Sequence, residues 1–351
     1  MWRLENDSAK WGVLLIGFPI PNRFGDSSSE VHWQPLFIDT IFAEAKSFKL
    51  RHENKHIGRW AALTKDGKFG PSEQLPWGSS TNISAERHYA RGAFSNNLRE
   101  QKIMVCGCGA IGSVAAEALA RGGVRNLRLL DGDQFEFGNQ SRHTLDGTML
   151  RTSKAKALAL RLSSGNLLSE IVGYHATLPL QPLTDGPSKA ASKGLADSDL
   201  LIDCTASEAA FIWLNSFAYE SQKRLASFFL SFGARFLTFC ISGKHASCRK
   251  VGRRLFRDIQ DGKTPISPTE YFRVPDKEEQ IIPGAGCWHP TFPARIDHVW
   301  MMSSAAIDLL DRLIIAPIVS DGTAAVFKRS DIVPGSSRQN IVELVWLHRY
   351  R

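Results

Sequence analysis

The hexapeptide Gly107-Cys108-Gly109-Ala110-Ile111-Gly112 constrains this chain more than any other feature. It follows an apolar run, Ile103-Met104-Val105-Cys106, and opens an alanine-rich stretch from Ser113 to Arg121. A tight strand-to-helix turn needs glycine, because a Cβ blocks close approach of the backbone to a phosphate. The start of the helix then offers free N–H groups and a partial positive charge. Asp131 ends the next apolar run, Leu127-Arg128-Leu129-Leu130, 19 residues beyond Gly112. That distance suits a carboxylate that accepts from a ribose hydroxyl. The pattern predicts a nucleotide site built from Gly107, Gly109, Gly112 and Asp131. Two other readings use the same residues: a doubly wound sheet whose glycines only pack, and an NAD-dependent dehydrogenase.

Around this loop the chain alternates strand and helix. Ser153 to Leu162 reads as a helix, Leu200 to Ile202 as a strand, Glu208 to Glu220 as a helix and Phe228 to Cys240 as strand material. Such alternation predicts an α/β, Rossmann-like domain with a mostly parallel sheet. Residues 84–351 are assigned to it. Ser84 to Arg99 can form a helix ahead of it, Ala294 to Leu313 reads as a long helix, and residues 324–351 read as terminal strands. Residues 1–83 form a separate, small β-rich segment. Its apolar run Val13-Leu14-Leu15-Ile16-Gly17-Phe18 predicts a buried strand. Residues 249–286, rich in charge, proline and glycine, predict a long crossing loop.

Composition narrows the function. No run of 18 apolar residues exists, so no membrane span is expected, and the polar start, Met1 to Asp7, predicts a cytoplasmic protein. The net charge is +8, but apart from Arg249-Lys250-Val251-Gly252-Arg253-Arg254 the basic residues are scattered and not interleaved with aromatics. This argues against nucleic acid as the main partner. Six cysteines are present and none forms a C-x-x-C pair, so no zinc is expected. Cys106 and Cys108 read as small core residues.

The residues after Asp131 separate the rivals. The stretch Asp131-Gly132-Asp133-Gln134-Phe135-Glu136-Phe137-Gly138-Asn139-Gln140-Ser141-Arg142 resembles the D-x-D-x-(V/F)-x-x-x-N-x-x-R signature of ThiF/MoeB and ubiquitin-activating enzymes. Lys154 stands where that superfamily places its lysine, and Arg87-His88-Tyr89-Ala90-Arg91 resembles its R-Y-x-R segment. The resemblance implies ATP and Mg²⁺ as cofactors. It also implies adenylation of a protein C-terminus, and Asp133, Asn139, Arg142 and Lys154 around the nucleotide. Arg91 would reach the nucleotide of a second copy in a homodimer. The physical logic agrees: joining a carboxylate to ATP brings two anions together, which positioned cations must offset.

One departure stands out. Asp203-Cys204-Thr205-Ala206-Ser207 resembles the superfamily's D-x-T-D-N stretch, whose second aspartate is linked to Mg²⁺. Here that position is Ala206. Asp203 is left as a substitute metal ligand, a capping carboxylate or a structural group, with Glu208 a further candidate.

Gly284-Ala285-Gly286-Cys287-Trp288-His289-Pro290 closes the expected crossing loop. The superfamily carries its thioester cysteine at such a place, so the resemblance implies Cys287 as the acyl-accepting nucleophile. His289 is a candidate accessory; Cys240 and a loop-borne Cys248 are weaker alternatives. Residues 14–21 and 286–290 also resemble activating enzymes of bacterial antiphage ubiquitin-like conjugation operons. In that group, residues 1–83 would be a degenerate half-domain or linker. The implied partners are a ubiquitin-like protein or other C-terminal tail and a separate or fused conjugating enzyme. An adenylyltransferase for sulfur carriers and a nucleotide-binding pseudoenzyme remain alternatives.

Overall fold

The computed structural model describes residues 11–21, 28–39, 77–81, 83–180, 186–274, 294–314, 321–330 and 342–350. The chain divides into two compact units, 1–88 and 89–351. In the first, β1 (Trp11–Pro21) pairs antiparallel with β2 (Ser28–Asp39). The strand expected over Val13 to Phe18 is present. The expectation of a buried strand is corrected: Val13, Leu15 and Phe18 are exposed, as are Val31 and Trp33 on β2. A two-stranded hairpin has only one layer and cannot bury both of its faces. Helix α1 (Ala85–Tyr89) ends where the second unit begins.

The second unit is built on an eight-stranded sheet. Its elements run α2 (Asn96–Arg99), β3 (Lys102–Cys106), α3 (Ala110–Arg121), β4 (Asn126–Leu130), α4 (Lys154–Gly165), β5 (Glu170–Tyr174), α5 (Gly186–Ala196), β6 (Leu200–Asp203), α6 (Glu208–Glu220), β7 (Arg224–Leu230), β8 (Phe236–Ile241), α7 (Cys248–Gln260), α8 (Pro268–Tyr271), α9 (Ile296–Ile314), β9 (Gly322–Arg329) and β10 (Val342–Tyr350). The spatial order is β10-β9-β8-β7-β6-β3-β4-β5. The five strands β5, β4, β3, β6 and β7 are parallel, and β8, β9 and β10 continue antiparallel. This is the α/β, mostly parallel architecture the alternation predicts.

Strand geometry explains the two cores. Side chains alternate along β3: Ile103 and Val105 join the cluster under α3, α4 and α9, while Met104 and Cys106 join the one under α5, α6 and α7. A parallel sheet is covered on both faces, so its strands read as unbroken apolar runs rather than as alternation.

Two expectations change here. Ser84 to Arg99 is not one helix. It breaks into α1 and α2, with Ser95 capping α2 through its hydroxyl. Residues 249–286 are not a loop throughout, because α7 occupies their first third. Cys248, Val251, Gly252, Leu255 and Ile259 form its buried stripe at helical spacing, and arginine and lysine cover its other side. Polar residues so outnumber apolar ones that the stripe is easily read as loop. Cys248 is therefore a buried helical residue, not a loop one.

Candidate functional site

The glycine loop sits where the winding of the sheet reverses. β3 has β4 on one side and β6 on the other, so a crevice opens at their C-terminal ends. Gly107 holds φ +85°, and a Cβ there would lie 2.7 Å from the Thr205 backbone. A Cβ on Gly112 would collide with the Gly107 carbonyl oxygen. These two glycines are required by the chain's packing on itself. Gly109 is different. It caps α3 with no side-chain hydrogen bond, and a Cβ on it would meet nothing within 4 Å. Packing alone therefore accounts for Gly107 and Gly112 but not for Gly109. The open space above the first turn of α3 suits a phosphate.

Acidic groups hold the loop in shape. Asp131 is buried; its Oδ2 accepts from the Cys108 amide at 2.6 Å and its Oδ1 from the Asp133 amide at 2.7 Å. Burial raises the Asp131 carboxyl above its ordinary value, while the two amides and the Lys154 cation pull it back. Each oxygen keeps a further lone pair for an incoming hydroxyl.

Lys154 is the first residue of α4 and is buried, with 6% of its surface exposed. Its Nζ donates to Asp133 Oδ2 at 2.9 Å, and its backbone amide to the Asp133 carbonyl at 3.0 Å. A cation at a helix N-terminus opposes the helix dipole, and burial costs it further. The ion pair to the exposed Asp133 carboxylate offsets both. The result is a positioned positive charge beside the glycine loop.

His143 joins the loop to the signature segment, and the sequence reading had missed it. Its Nε2 lies 2.6 Å from the Cys108 carbonyl oxygen, and its Nδ1 accepts from the Leu145 amide at 3.0 Å. These partners fix the tautomer: the Nε2–H donates and Nδ1 accepts. Burial lowers its pKa to about 4, so the ring is neutral near pH 7. The 3-10 turn Phe137–Arg142 directly precedes it. In that turn Asn139 Oδ1 accepts from the Glu136 amide at 3.0 Å, and Arg142 is half-buried. A histidine adjoining the signature arginine was the available clue.

The expected metal ligand, Asp203, is held by three hydrogen bonds, and its Oδ2 keeps a further lone pair. Asp203 Oδ1 accepts from the Thr205 amide at 3.1 Å and from the Thr205 hydroxyl at 2.7 Å, and Oδ2 accepts from the Ser227 hydroxyl at 2.9 Å. Burial raises its carboxyl above the ordinary value. Ala206 holds φ +53°, a region that alanine rarely adopts. Among the described residues no three His, Cys, Asp or Glu side chains cluster as metal ligands. Asp203 acts as the clasp of the loop that buttresses Gly107.

The structure does not bring Arg91 to this site. Tyr89 packs near Gly123, and its hydroxyl lies 3.2 Å from Ser169 Oγ, just before β5 begins. Exposed Arg91 follows two residues later. It thus lies at the edge where the parallel strands start, whereas the glycine loop lies where they end. Cys287 and His289 lie outside the described residues. The five described cysteines, Cys106, Cys108, Cys204, Cys240 and Cys248, are all buried. Burial pushes each thiol up, that of Cys240 to about 12.

Residues 84–266, just over half of the chain, match the ThiF family. The chain belongs to that family. Residues 2–83 match the Cap2 central linker domain. The ATP-dependent ubiquitin transferase-like protein Cap2 of Enterobacter hormaechei subsp. hoffmannii is 28% identical over 310 residues, covering 87% of this chain and 48% of that protein. The molybdopterin-synthase adenylyltransferase of Escherichia coli is 32% identical over 132 residues, covering 37% of this chain and 49% of its own. This ThiF-family chain thus spans about half the length of these two relatives. A crystal structure of PaaA superposes with a TM-score of 0.47 at 16% identity, over 87% of each chain. No described helix is long and apolar enough to cross a membrane.

Proposed function

We propose that this ThiF-family chain uses ATP to adenylate the C-terminus of a ubiquitin-like or other protein and then accepts it on Cys287. The carboxylate oxygen attacks the α-phosphorus of ATP; the bond to the bridging oxygen breaks and pyrophosphate leaves. The Cys287 thiolate then attacks the acyl carbon and releases AMP. A conjugating enzyme, separate or fused, would take the acyl group by the same exchange. The relatives' names favour this reading, and the Cap2 likeness favours a role in bacterial antiphage defence.

The observation that carries it is the open space at Gly109, with buried Lys154 beside it and Asp131 beneath. The α3 amides and Lys154 would hold the phosphates, Asp131 the ribose, and Asn139 and Arg142 would line the side of the phosphates. Cys287 is favoured as nucleophile because the other five thiols are buried and held protonated. The position of Arg91 at the far edge favours a homodimer, in which it would serve the nucleotide of the second copy.

The engaged Asp203 and the alanine at 206 favour a second reading, a nucleotide-binding module without turnover. ATP–pyrophosphate exchange, with small proteins encoded nearby added one at a time, separates the two. Exchange that depends on one carrier supports adenylation; bound ATP without exchange selects the module. Cys287→Ala should keep exchange and lose a thiol-sensitive carrier adduct. An adduct that survives in Cys287→Ala removes the cysteine assignment.

A further inference from the structure

Helix α7 carries an arrangement of charge that the nucleotide site does not use. Arg249, Lys250, Arg253, Arg254 and Arg257 line an open groove of about 420 Å³ together with Asn215 of α6 and Ser247. Within that set, 249/253, 253/257 and 250/254 are neighbours at i,i+4, and 250/253 and 254/257 at i,i+3. Each such like-charge contact works against the helix. Arg249 and Lys250 also lie in the first turn, where cations oppose the helix dipole and no acidic residue balances them. Among the described residues none of the five is in an ion pair. Of the two acidic groups nearby, Asp261 pairs with Lys263 at 2.8 Å, and Asp258 lies near the Tyr350 hydroxyl without a hydrogen bond to it.

The groove is also built. Ser247 caps α7 through its hydroxyl, and Asn215 Oδ1 accepts from the Arg249 amide at 2.9 Å, so α6 fixes the end of the helix. The buried stripe of Val251, Leu255 and Ile259 leaves the cations no choice but to face outward.

We propose that the groove between α6 and α7 docks an acidic segment of a protein partner. From Arg249 to Arg257 the helix rises about 12 Å. An extended peptide covers that with three or four residues, so alternate glutamates or aspartates would each meet a guanidinium in a charge-assisted pair. The same length meets about three or four phosphates of one DNA strand, short of the roughly 6–10 of a DNA-binding surface. The lining offers no aromatic face on which a base could stack. The inference is independent of the adenylation reading, since the groove shares no residue with the glycine loop.

The test uses the full chain and a fluorescein-labelled octaglutamate peptide, read by anisotropy at low and physiological salt. Saturable binding is expected, weakened at least tenfold by Arg253→Gln/Arg254→Gln and by added salt. Lys193→Gln, on α5, should leave it unchanged. Circular dichroism and ATP binding confirm that the double variant is folded. A 20-base-pair duplex should compete less well, mole for mole, than unlabelled octaglutamate. No saturable binding, equal binding by the double variant, or stronger competition by the duplex would each overturn the proposal.

Discussion

His143 donates through Nε2 to the Cys108 carbonyl oxygen at 2.6 Å, so one neutral imidazole ties the glycine loop to the segment carrying Asn139 and Arg142. The second bond of the ring, from the Leu145 amide to Nδ1, requires the unprotonated imidazole, because a protonated Nδ1 cannot accept.

A pH dependence follows. The folded pKa of about 4 lies below the ordinary 6.5, so the unfolded chain binds the proton first. The stabilising contribution is therefore complete above pH 6.5 and lost as pH falls toward 4. At pH 5 the loss is about 2 kcal/mol. Urea unfolding at pH 7 and pH 5 should show it, and His143→Phe should remove most of the difference. An equal difference in that variant would assign it to other groups.

Gly107 and Gly109 should respond oppositely to alanine. Gly107→Ala places a Cβ against the Thr205 backbone at positive φ and should cost about 3 kcal/mol or more. Gly109→Ala meets no atom within 4 Å and its φ of −79° is ordinary, so stability should change by less than about 1 kcal/mol. ATP affinity should fall at least tenfold, because the methyl occupies the space left for phosphate. Melting curves and ATP titrations together test the pair; unchanged affinity in Gly109→Ala would remove the phosphate from that space.

Lys154→Met keeps the buried stem and deletes the charge. It should preserve the fold and weaken pyrophosphate exchange roughly 100-fold, in line with the loss of one preorganised cation. Asp133→Asn leaves the ammonium without its counter-charge. Because Asp133 is largely exposed, solvent screening limits the cost to about 1 kcal/mol. Thermal unfolding and exchange assays would expose a merely structural lysine, since Lys154→Met would then lower stability and leave exchange intact.

Ala206→Gly should stabilise the domain by about 0.5–1 kcal/mol. Relief of the left-handed conformation exceeds the added freedom of the unfolded chain. A lower denaturation midpoint would mean that the strain is held by contacts of the alanine methyl.

Much of this was legible in the residues themselves. Three glycines between an apolar run and an alanine-rich one defined the turn, and Asp131 defined the next strand. The signature from Asp131 to Arg142 defined the family. Helix α7 was hidden because Val251, Leu255 and Ile259 were too few among five cations to read as a face. The role of Asp203 was open because one of its donors, Ser227, becomes its neighbour only when β6 and β7 pair. His143 escaped for the same reason: its acceptor lies 35 residues back along the chain.

The seat of the first glycine is the backbone of Thr205, in the loop just past β6, a strand that joins β3 from almost a hundred residues later in the chain. During synthesis the loop's sequence leaves the ribosome long before its shape can exist. Only when β6 slots in beside β3 does the cradle close. Closure of the glycine loop is therefore a late event of biogenesis, and a signal that the centre of the sheet is complete.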